Sequence, residues 1–295
     1  MKILLSGAGG QLGSRLARDL TSAGEVIALS RQDLDLTEST AIARTIDAHR
    51  PDLIVNAAAY TAVDQAETDR DSAWAVNAVA PGLIGGAARA CGAPVIHFST
   101  DYVFDGTLDR PYRESDATNP VNYYGLSKRA GEEALLASGA DALIFRVSWL
   151  YAEDGQNFMR TMLRLAIERE TLDVVDDQTG APTYVGAISE ALTQLITQRG
   201  PFLGSEAGAI YHLACDGAGT WRDFAEAIVD AAGRNGFAVR TRKVQGIPTS
   251  AYKTPAQRPK NSRLDQTRVR AQFGLHLPHW RDALEQAMEK AVPVG

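Results

Sequence analysis

A glycine-rich turn close to the start of the chain restricts the fold more than any other feature of the sequence. Gly7, Gly10 and Gly13 follow the apolar run 3–5, and the stretch 11–23 that they open has leucines at helical spacing. Glycines at these places allow a tight turn, a close approach of the backbone to a ligand, and close packing of helix on strand. The amino end of a helix also offers free N–H groups and a positive potential to an anion. The sequence therefore predicts a phosphate-binding strand–turn–helix unit here.

The rest of the first half repeats short apolar strands and longer helical stretches. Apolar runs at 25–29, 53–55, 95–98 and 143–145 are separated by stretches with helical character. Uniformly apolar strands indicate a sheet that is covered on both faces, and strand–helix alternation indicates βαβ units. We therefore expect an α/β fold with a doubly wound parallel sheet in residues 1–150.

The second half of the chain has a less regular rhythm. Its predicted elements are helices at 158–169, 185–198, 221–232 and 280–291 and a strand at 211–213. We interpret residues 151–295 as a smaller C-terminal lobe, some of whose elements return to the first sheet.

Charge and cysteine content exclude several classes of protein. With 30 basic and 36 acidic residues the formal net charge is −6, which argues against a broad nucleic-acid-binding or anionic-membrane surface. The two cysteines, Cys91 and Cys215, are too few for a disulfide framework or a four-thiolate zinc site. No apolar run is long enough for a membrane span or a signal-peptide core. We expect a cytoplasmic protein with no nucleic-acid partner and no membrane partner.

Two segments of the first half carry side chains suited to acid–base chemistry. Tyr124 and Lys128 are four residues apart, which on a helix places phenol and ammonium on one face. We expect the ammonium to lower the pKa of the phenol toward the working range of an acid–base catalyst. Thr100 follows the apolar run 95–98 at the edge where parallel sheets bind ligands, and a hydroxyl there can polarise a carbonyl. Taken singly, each segment also has a purely structural interpretation.

In this order and spacing, the glycine-rich turn, Thr100 and the Tyr124–Lys128 pair resemble the extended short-chain dehydrogenase/reductase family, which has a Rossmann-like fold. The segments that narrow the resemblance to members acting on dTDP-linked sugars are 56–67, 99–106, 119–125, 146–151, 177–183 and 258–265. The similarity covers nearly the whole chain, including the C-terminal lobe. The resemblance implies an NAD(P)-binding domain at 1–150, a mainly substrate-binding lobe at 151–295, and reduction of the C4 ketone of dTDP-4-dehydro-β-L-rhamnose for bacterial polysaccharide biosynthesis.

The resemblance also implies roles for individual residues. Tyr124 is expected to protonate the developing alkoxide, Lys128 to lower the pKa of Tyr124 and hold the nicotinamide ribose, and Thr100 to be their hydroxyl partner. The residues expected to contact the sugar nucleotide are Thr100, Asp101, Tyr102, Trp149 and Arg258. The residues expected to bind the cofactor are Gly7, Gly10, Gln11, Leu12, Gly13, Ser30, Arg31, Asp35, Leu36, Ala59, Tyr60, Thr61, Tyr124 and Lys128.

Two further positions bear on cofactor choice and on metal. Where an acidic residue would bind the ribose 2′-hydroxyl, the chain has Ser30 and Arg31, so we predict that NADPH is preferred and NADH is also usable.

Some members of the family are magnesium-linked dimers that hold the metal with glutamates. Here Arg15 occupies the first such place, and Glu190 is the first acid after the segment 180–183. Magnesium prefers carboxylate oxygens, so we expect no metal and a monomer or a metal-independent homodimer.

Three alternatives remain open from the residues alone. Arg258 binds the substrate diphosphate or forms a structural ion pair. His97, inside an apolar run, is interpreted as a hydrogen-bonded core residue rather than a ligand. The chain as a whole is alternatively another nucleotide-sugar enzyme, such as an epimerase/reductase, or a regulatory subunit that binds the cofactor without catalysis. An epimerase needs an extra acid–base pair, which the matched segments lack, and the intact Tyr–Lys pair argues against a silent subunit.

Overall fold

A parallel sheet forms the centre of the computed structural model, which describes residues 1–200 and 209–292. The strands are β1 (Lys2–Ser6), β2 (Glu25–Leu29), β3 (Leu53–Asn56), β4 (Val95–Thr100), β5 (Ala142–Val147), β6 (Leu150–Tyr151), β7 (Thr171–Val175), β8 (Thr179–Gly180), β9 (Thr183–Tyr184), β10 (Ala209–His212), β11 (Gly219–Thr220) and β12 (Lys243–Ile247). Six of them form the sheet in the order β10-β5-β4-β3-β1-β2, and every neighbouring pair is parallel. The predicted α/β fold class is confirmed.

Helices pack on both faces of this sheet. They are α1 (Gln11–Asp19), α2 (Ser39–His49), α3 (Arg70–Trp74), α4 (Ala80–Cys91), α5 (Tyr123–Ala137), α6 (Phe158–Glu168), α7 (Val185–Arg199), α8 (Trp221–Arg234), α9 (Thr267–Phe273) and α10 (Trp280–Lys290), with a π-helical turn at Ala75–Val79. Ile3 and Leu5 of β1 belong to one core, which includes residues of α1 and α7, and Leu4 belongs to the opposite core with residues of α2 and α4. Because both faces are buried, the inner strands are mainly apolar, and their polar residues, such as Asn56 and His97, are buried with them.

Most predicted elements differ from the structure by one or a few residues at their ends, and two of these differences are informative. The predicted helix 11–23 is α-helical only to Asp19 and continues as a 3₁₀ turn, Leu20–Ser22, because the N–H groups of Ala23 and Gly24 both donate to the Leu20 carbonyl before the chain enters β2. The predicted strand 211–213 lies at Ala209–His212, where it pairs with β5 at the edge of the sheet. An element of the second half therefore completes the first sheet, while the domain boundary near residue 150 stays a prediction.

The remaining strands form three two-stranded sheets: β7 with β12, β6 with β9, and β8 with β11. They hold Trp149 and the first residue of α8, Trp221, beside the carboxyl ends of β4 and β5, where both indoles face the same cavity as Thr100 and Val147. No helix in the described ranges is long and apolar enough to cross a membrane.

Candidate active site

A cavity of about 910 Å³ lies along the carboxyl edge of the sheet, a size typical of small-molecule sites. The predicted residues that line it are Gly7, Gly10, Gln11, Leu12, Ser30, Arg31, Asp35, Leu36, Ala59, Tyr60, Thr61, Thr100, Asp101, Tyr102, Tyr124, Lys128 and Trp149. Two predicted site residues, Gly13 and Arg258, are not among its lining residues. The fold thus brings nearly all the singled-out positions to one cavity.

The glycine-rich turn has the shape that a phosphate group requires. Gly7 has a φ of +79°, and a Cβ there would lie 2.5 Å from the Ala58 backbone nitrogen. A Cβ on Gly13 would lie 2.0 Å from the Gly7 carbonyl oxygen, so Gly13 serves the close packing of α1 on the turn, which explains its place outside the cavity. No side chain caps α1 at Gly10, which leaves the first N–H groups of the helix available to an anion. These residues fit a dinucleotide.

Thr100, Tyr124 and Lys128 all line this cavity. Thr100 Oγ1 donates to Asp101 Oδ1 at 3.0 Å, accepts from the Tyr102 backbone N–H at 3.1 Å, and shares a hydrogen bond with Tyr124. Lys128 Nζ donates to the Phe98 carbonyl at 2.6 Å. The Lys128 side chain is buried, and this burial lowers its pKa to about 8, with the Glu132 carboxylate opposing the change.

The predicted effect of Lys128 on Tyr124 is wrong for this structure. The pKa of Tyr124 is raised to about 12, because burial disfavours the phenolate and the Asp101 carboxylate repels it, while the Thr100 hydrogen bond opposes both effects. Lys128 does not offset these causes, since its ammonium group is turned toward the Phe98 carbonyl. The phenol is therefore fully protonated at neutral pH, as a proton donor must be.

Asp101 is a buried carboxylate beside this group. Its side chain is only 2% exposed, and it accepts hydrogen bonds from Thr100 and, at 3.0 Å, from the Ser148 hydroxyl. Burial raises the pKa of Asp101 to about 6, although the hydrogen bonds from Ser262, Ser148 and Thr100 lower it. Such a perturbed carboxyl in a cavity is typical of functional sites.

Three neighbouring segments fix the first turn of α5, which carries Tyr124. Asn122 caps the helix by accepting from the Gly125 N–H at 2.8 Å, and its Nδ2 donates to the Gln257 carbonyl at 2.8 Å. Glu67 accepts from the Tyr123 N–H at 2.8 Å. The backbone of Gly125 is so close to that of Tyr102 that a Cβ would lie 2.1 Å from the Tyr102 carbonyl oxygen. These contacts fix the backbone of the turn from which the Tyr124 side chain extends.

Arg258 forms the structural ion pair that the sequence left open. Its two terminal nitrogens bind the two Asp64 oxygens at 2.6 and 2.7 Å, and Asp64 also accepts from the Ala256 N–H at 3.1 Å. A hydrogen bond also joins Arg258 to Tyr102. The pair therefore ties the segment after β3 to the C-terminal stretch, close to the predicted sugar-contact residues.

An aromatic wall includes one residue that sequence reasoning missed. Trp149 and Trp221 stack in parallel with ring centroids 3.6 Å apart, and both line the cavity. Trp149 has a φ of +46° and donates from Nε1 to the Ser262 hydroxyl at 3.1 Å. A tryptophan with positive φ is a strained residue, which is common at ligand sites. Nothing local in the sequence points to Trp221, since its role depends on contact with a residue 72 positions earlier.

The end of β2 presents a basic side chain at the cavity. Asp33 accepts from the backbone N–H and the hydroxyl of Ser30 at 2.9 and 2.7 Å. The Arg31 side chain is 81% exposed, and its nearest carboxylate is Asp35, at 3.5 Å. Asp35 is itself bound to the N–H and hydroxyl of Thr37 at 2.9 and 2.8 Å. The carboxylates here are held by their own segment, which leaves the guanidinium at the opening.

Arg15, at the first of the places where the resemblance gives a magnesium ligand to other family members, is a paired cation. Arg15 binds Asp19 at 2.7 Å and Glu153 at 3.4 Å, and donates to the Tyr184 hydroxyl at 3.2 Å. Within the described ranges, no group of three or more histidine, cysteine, aspartate or glutamate side chains is placed to hold a metal ion. The residues do not fit magnesium, and independence from metal stays a prediction.

This combination of a doubly wound sheet, a glycine-rich turn and a Thr–Tyr–Lys group in one cavity defines the class of extended short-chain dehydrogenases/reductases. A family model described as the RmlD substrate binding domain matches residues 1–292. The chain belongs to the dTDP-4-dehydrorhamnose reductase family.

The relatives cover nearly the full length of the chain. The dTDP-4-dehydrorhamnose reductase of Burkholderia thailandensis is 44% identical over 288 residues, which cover 96% of this chain and 97% of the relative. That of Salmonella typhimurium is 45% identical over 284 residues, which cover 95% and 94%. The crystal structure of dTDP-4-dehydrorhamnose reductase from Bacillus anthracis in complex with NADP has a TM-score of 0.90 and 34% identity, covering 98% of this chain and 99% of that chain.

Proposed function

We propose that this chain reduces the C4 ketone of dTDP-4-dehydro-β-L-rhamnose with NADPH and releases dTDP-L-rhamnose, in the cytoplasm. The observation that carries the proposal is that Thr100, Tyr124 and Lys128 line the same cavity as the glycine-rich turn. The named activity of the full-length relatives supports the choice of substrate.

The cofactor is held by residues at the ends of β1, β2 and β3. The turn from Gly7 to Leu12 receives the pyrophosphate on the N–H groups of α1, and the segments at 35–36 and 59–61 flank the adenosine and ribose. When bound, the cofactor supplies the hydride. The exposed guanidinium of Arg31, beside Ser30, is placed to pair with a 2′-phosphate, which favours NADPH over NADH, and the NADP in the Bacillus anthracis enzyme is consistent with this.

Tyr124 provides the proton for the new hydroxyl group. Its raised pKa keeps the phenol protonated until a more basic alkoxide forms on the substrate. Thr100, hydrogen-bonded between Asp101 and Tyr124, orients the phenol and adds a second hydroxyl beside the ketone oxygen. Lys128 holds the nicotinamide ribose.

The sugar nucleotide lies between the Thr100 segment and the aromatic wall. Asp101 and Tyr102 contact the sugar from one side, and Trp149, backed by Trp221, covers it from the other. Arg258 acts on the substrate through Tyr102, to which it is hydrogen-bonded. We propose that the protein works without metal, as a monomer or a metal-independent homodimer.

The alternative functions fit the cavity less well. Combined epimerisation requires an additional acid–base pair, yet no histidine or cysteine of the described ranges lines the cavity. Cys215 is buried, and its pKa is raised to about 12 by that burial, which makes it a poor acid or base. A silent regulatory subunit would have no use for a buried lysine beside a protonated tyrosine.

The test follows an isotope from cofactor to product. NADPH carrying deuterium at the transferable position is incubated with the protein and dTDP-4-dehydro-β-L-rhamnose. We expect dTDP-L-rhamnose with one deuterium at C4, identified by mass spectrometry and NMR. Binding of the cofactor without oxidation would identify a regulatory subunit, and a product epimeric at another carbon would identify an epimerase.

A further inference from the structure

A chain of buried polar side chains runs behind the cavity, from the end of β1 to Lys128. The Ser6 hydroxyl donates to Asn56 Oδ1 at 2.7 Å, and Asn56 Nδ2 lies 3.0 Å from His97 Nδ1. The other ring nitrogen, His97 Nε2, lies 3.4 Å from Lys128 Nζ. All four side chains are buried, so each depends on these partners.

The hydrogen-bond partners assign the tautomer of His97. The backbone N–H of Ala58, which can only donate, lies 3.2 Å from Asn56 Oδ1, so this oxygen is the acceptor end of the amide. The amide NH₂ therefore faces His97 Nδ1, which must accept. Burial and the nearby Lys128 lower the pKa of His97, which keeps the ring neutral. A neutral ring that accepts at Nδ1 carries its proton on Nε2.

This tautomer directs an N–H group at Lys128. A neutral amine at Lys128 accepts from His97 Nε2 with its lone pair while it donates to the Phe98 carbonyl. An ammonium at the same place has no lone pair and meets the His97 N–H as a second donor. The arrangement thus stabilises the amine over the ammonium.

The other titratable groups near Lys128 do not produce the same effect. Glu132, one turn later on α5, favours the ammonium, but Arg146 from β5 binds both of its oxygens at 2.8 and 2.7 Å. Tyr124, one turn earlier, is a neutral phenol. His97, from β4, contributes the only N–H among these groups that points at Nζ.

We infer that His97 is a positioning residue which, held in a single tautomer by Asn56, makes Lys128 a stronger acid than an ordinary lysine. The consequence for the reaction is the way in which Tyr124 regains its proton. In this respect the inference rests on the proposed function. Tyr124 becomes a phenolate when it protonates the alkoxide. Because Lys128 Nζ is turned toward the Phe98 carbonyl, its proton reaches the phenolate by way of a bridging hydroxyl group or water. Lys128 then becomes an amine that accepts from His97, and it regains from solvent water the proton that it gave up.

The first test determines the tautomer of His97 directly in the wild-type protein. With ¹⁵N-labelled histidine, NMR distinguishes protonated from unprotonated ring nitrogens, and the His97 signals are assigned by their loss in His97→Phe. We expect Nδ1 to be unprotonated and Nε2 protonated. A ring protonated on Nδ1 in the wild-type protein would overturn the inference.

The second test titrates Lys128 by NMR of protein labelled with ¹³C at lysine Cε, without substrate. In Asn56→Asp, the carboxylate accepts at both oxygens, so the His97 proton moves to Nδ1 and Nε2 becomes an acceptor for the ammonium. We expect the Lys128 midpoint to rise by about one pH unit or more. In His97→Phe, which removes the N–H, a smaller rise is expected. Ser6→Ala, which leaves the amide of Asn56 oriented by Ala58, is the control and leaves the midpoint unchanged.

A double variant separates the tautomer from the added charge. If Asn56→Asp raises the midpoint equally in the wild-type and His97→Phe backgrounds, charge alone acts and the inference is wrong; a smaller rise without His97 supports it. Because these titrations need no turnover, they are independent of the proposed function. In the active enzyme, the basic limb of the kcat/KM profile moves upward with the midpoint, whereas a loss of activity at all pH values would indicate a merely structural role.

Discussion

Replacing Asp101 with asparagine is expected to stabilise the fold above neutral pH while it damages the active site. Asp101 is buried, and burial raises its pKa from 3.8 to about 6. Asparagine has a similar shape, retains an oxygen for the Thr100 or Ser148 hydroxyl, and carries no charge to bury. Stability and activity should therefore respond in opposite directions, as is common for polar groups at active sites.

The magnitude and the pH window follow from the pKa. Each pKa unit is worth about 1.4 kcal/mol, so an ionised Asp101 costs the folded state about 3 kcal/mol. Below pH 3.8 the carboxyl is protonated in both states and contributes nothing. As the pH rises, the unfolded chain ionises first, so the folded state loses stability progressively until the folded carboxyl has also ionised, above about pH 6. The advantage of Asp101→Asn should grow across this window and then remain constant.

Urea unfolding of wild type and Asp101→Asn at a series of pH values measures this difference. Asp105→Asn is a matched control of opposite sign. Hydrogen bonds to the Asp105 carboxylate lower its pKa to about 2, and they include those from Thr107, Asn119 and Tyr112. That variant should be less stable than wild type at neutral pH. The reasoning is refuted if the stability of Asp101→Asn relative to wild type does not increase between about pH 4, where the window begins, and about pH 7, beyond its upper end.

Three further predictions concern cofactor, metal and the glycine-rich turn. Arg31→Ala should lower kcat/KM for NADPH by about tenfold and leave that for NADH unchanged, since only NADPH carries the 2′-phosphate; equal effects on both would contradict the assignment of Arg31. EDTA should change neither activity nor sedimentation, and a loss that magnesium alone restores would show a metal site. Gly13→Ala places a Cβ 2.0 Å from the Gly7 oxygen and should destabilise the protein by about 1–3 kcal/mol and weaken NADPH binding. Gly9→Ala, where the added Cβ meets no atom beyond its chain neighbours within 4 Å, is the control for stability, and an equal loss of stability would argue against tight packing at Gly13.

Much of the fold could be predicted because its causes are local. Gly13 packs against Gly7, a residue of the same short turn, and the apolar strands reveal a sheet covered on both faces. Tyr124 and Lys128 are brought to one face by helical spacing alone. His97 is a buried, hydrogen-bonded residue, as predicted, although its partners were not foreseen.

The features that sequence reasoning missed depend on distant parts of the chain. Asp64 and Arg258 are 194 residues apart, so no local pattern distinguishes their ion pair from a substrate clamp. Trp221 lines the cavity stacked on Trp149, from which it is 72 residues away in sequence. The pKa of Tyr124 was predicted with the wrong sign because burial by surrounding segments outweighs a helical neighbour whose ammonium group is bound elsewhere.

The central claim is that Tyr124 is the proton donor for reduction of the C4 ketone, and Tyr124→Phe tests it most directly. Tyr123→Phe is the matched control, since Tyr123 is the adjacent residue and does not line the cavity. With NADPH and dTDP-4-dehydro-β-L-rhamnose, we expect kcat of Tyr124→Phe to fall by about 10²–10⁴, the contribution of a general acid. The Kd for NADPH should stay close to that of wild type, as should kcat of Tyr123→Phe. A kcat of Tyr124→Phe near the wild-type value would contradict the account.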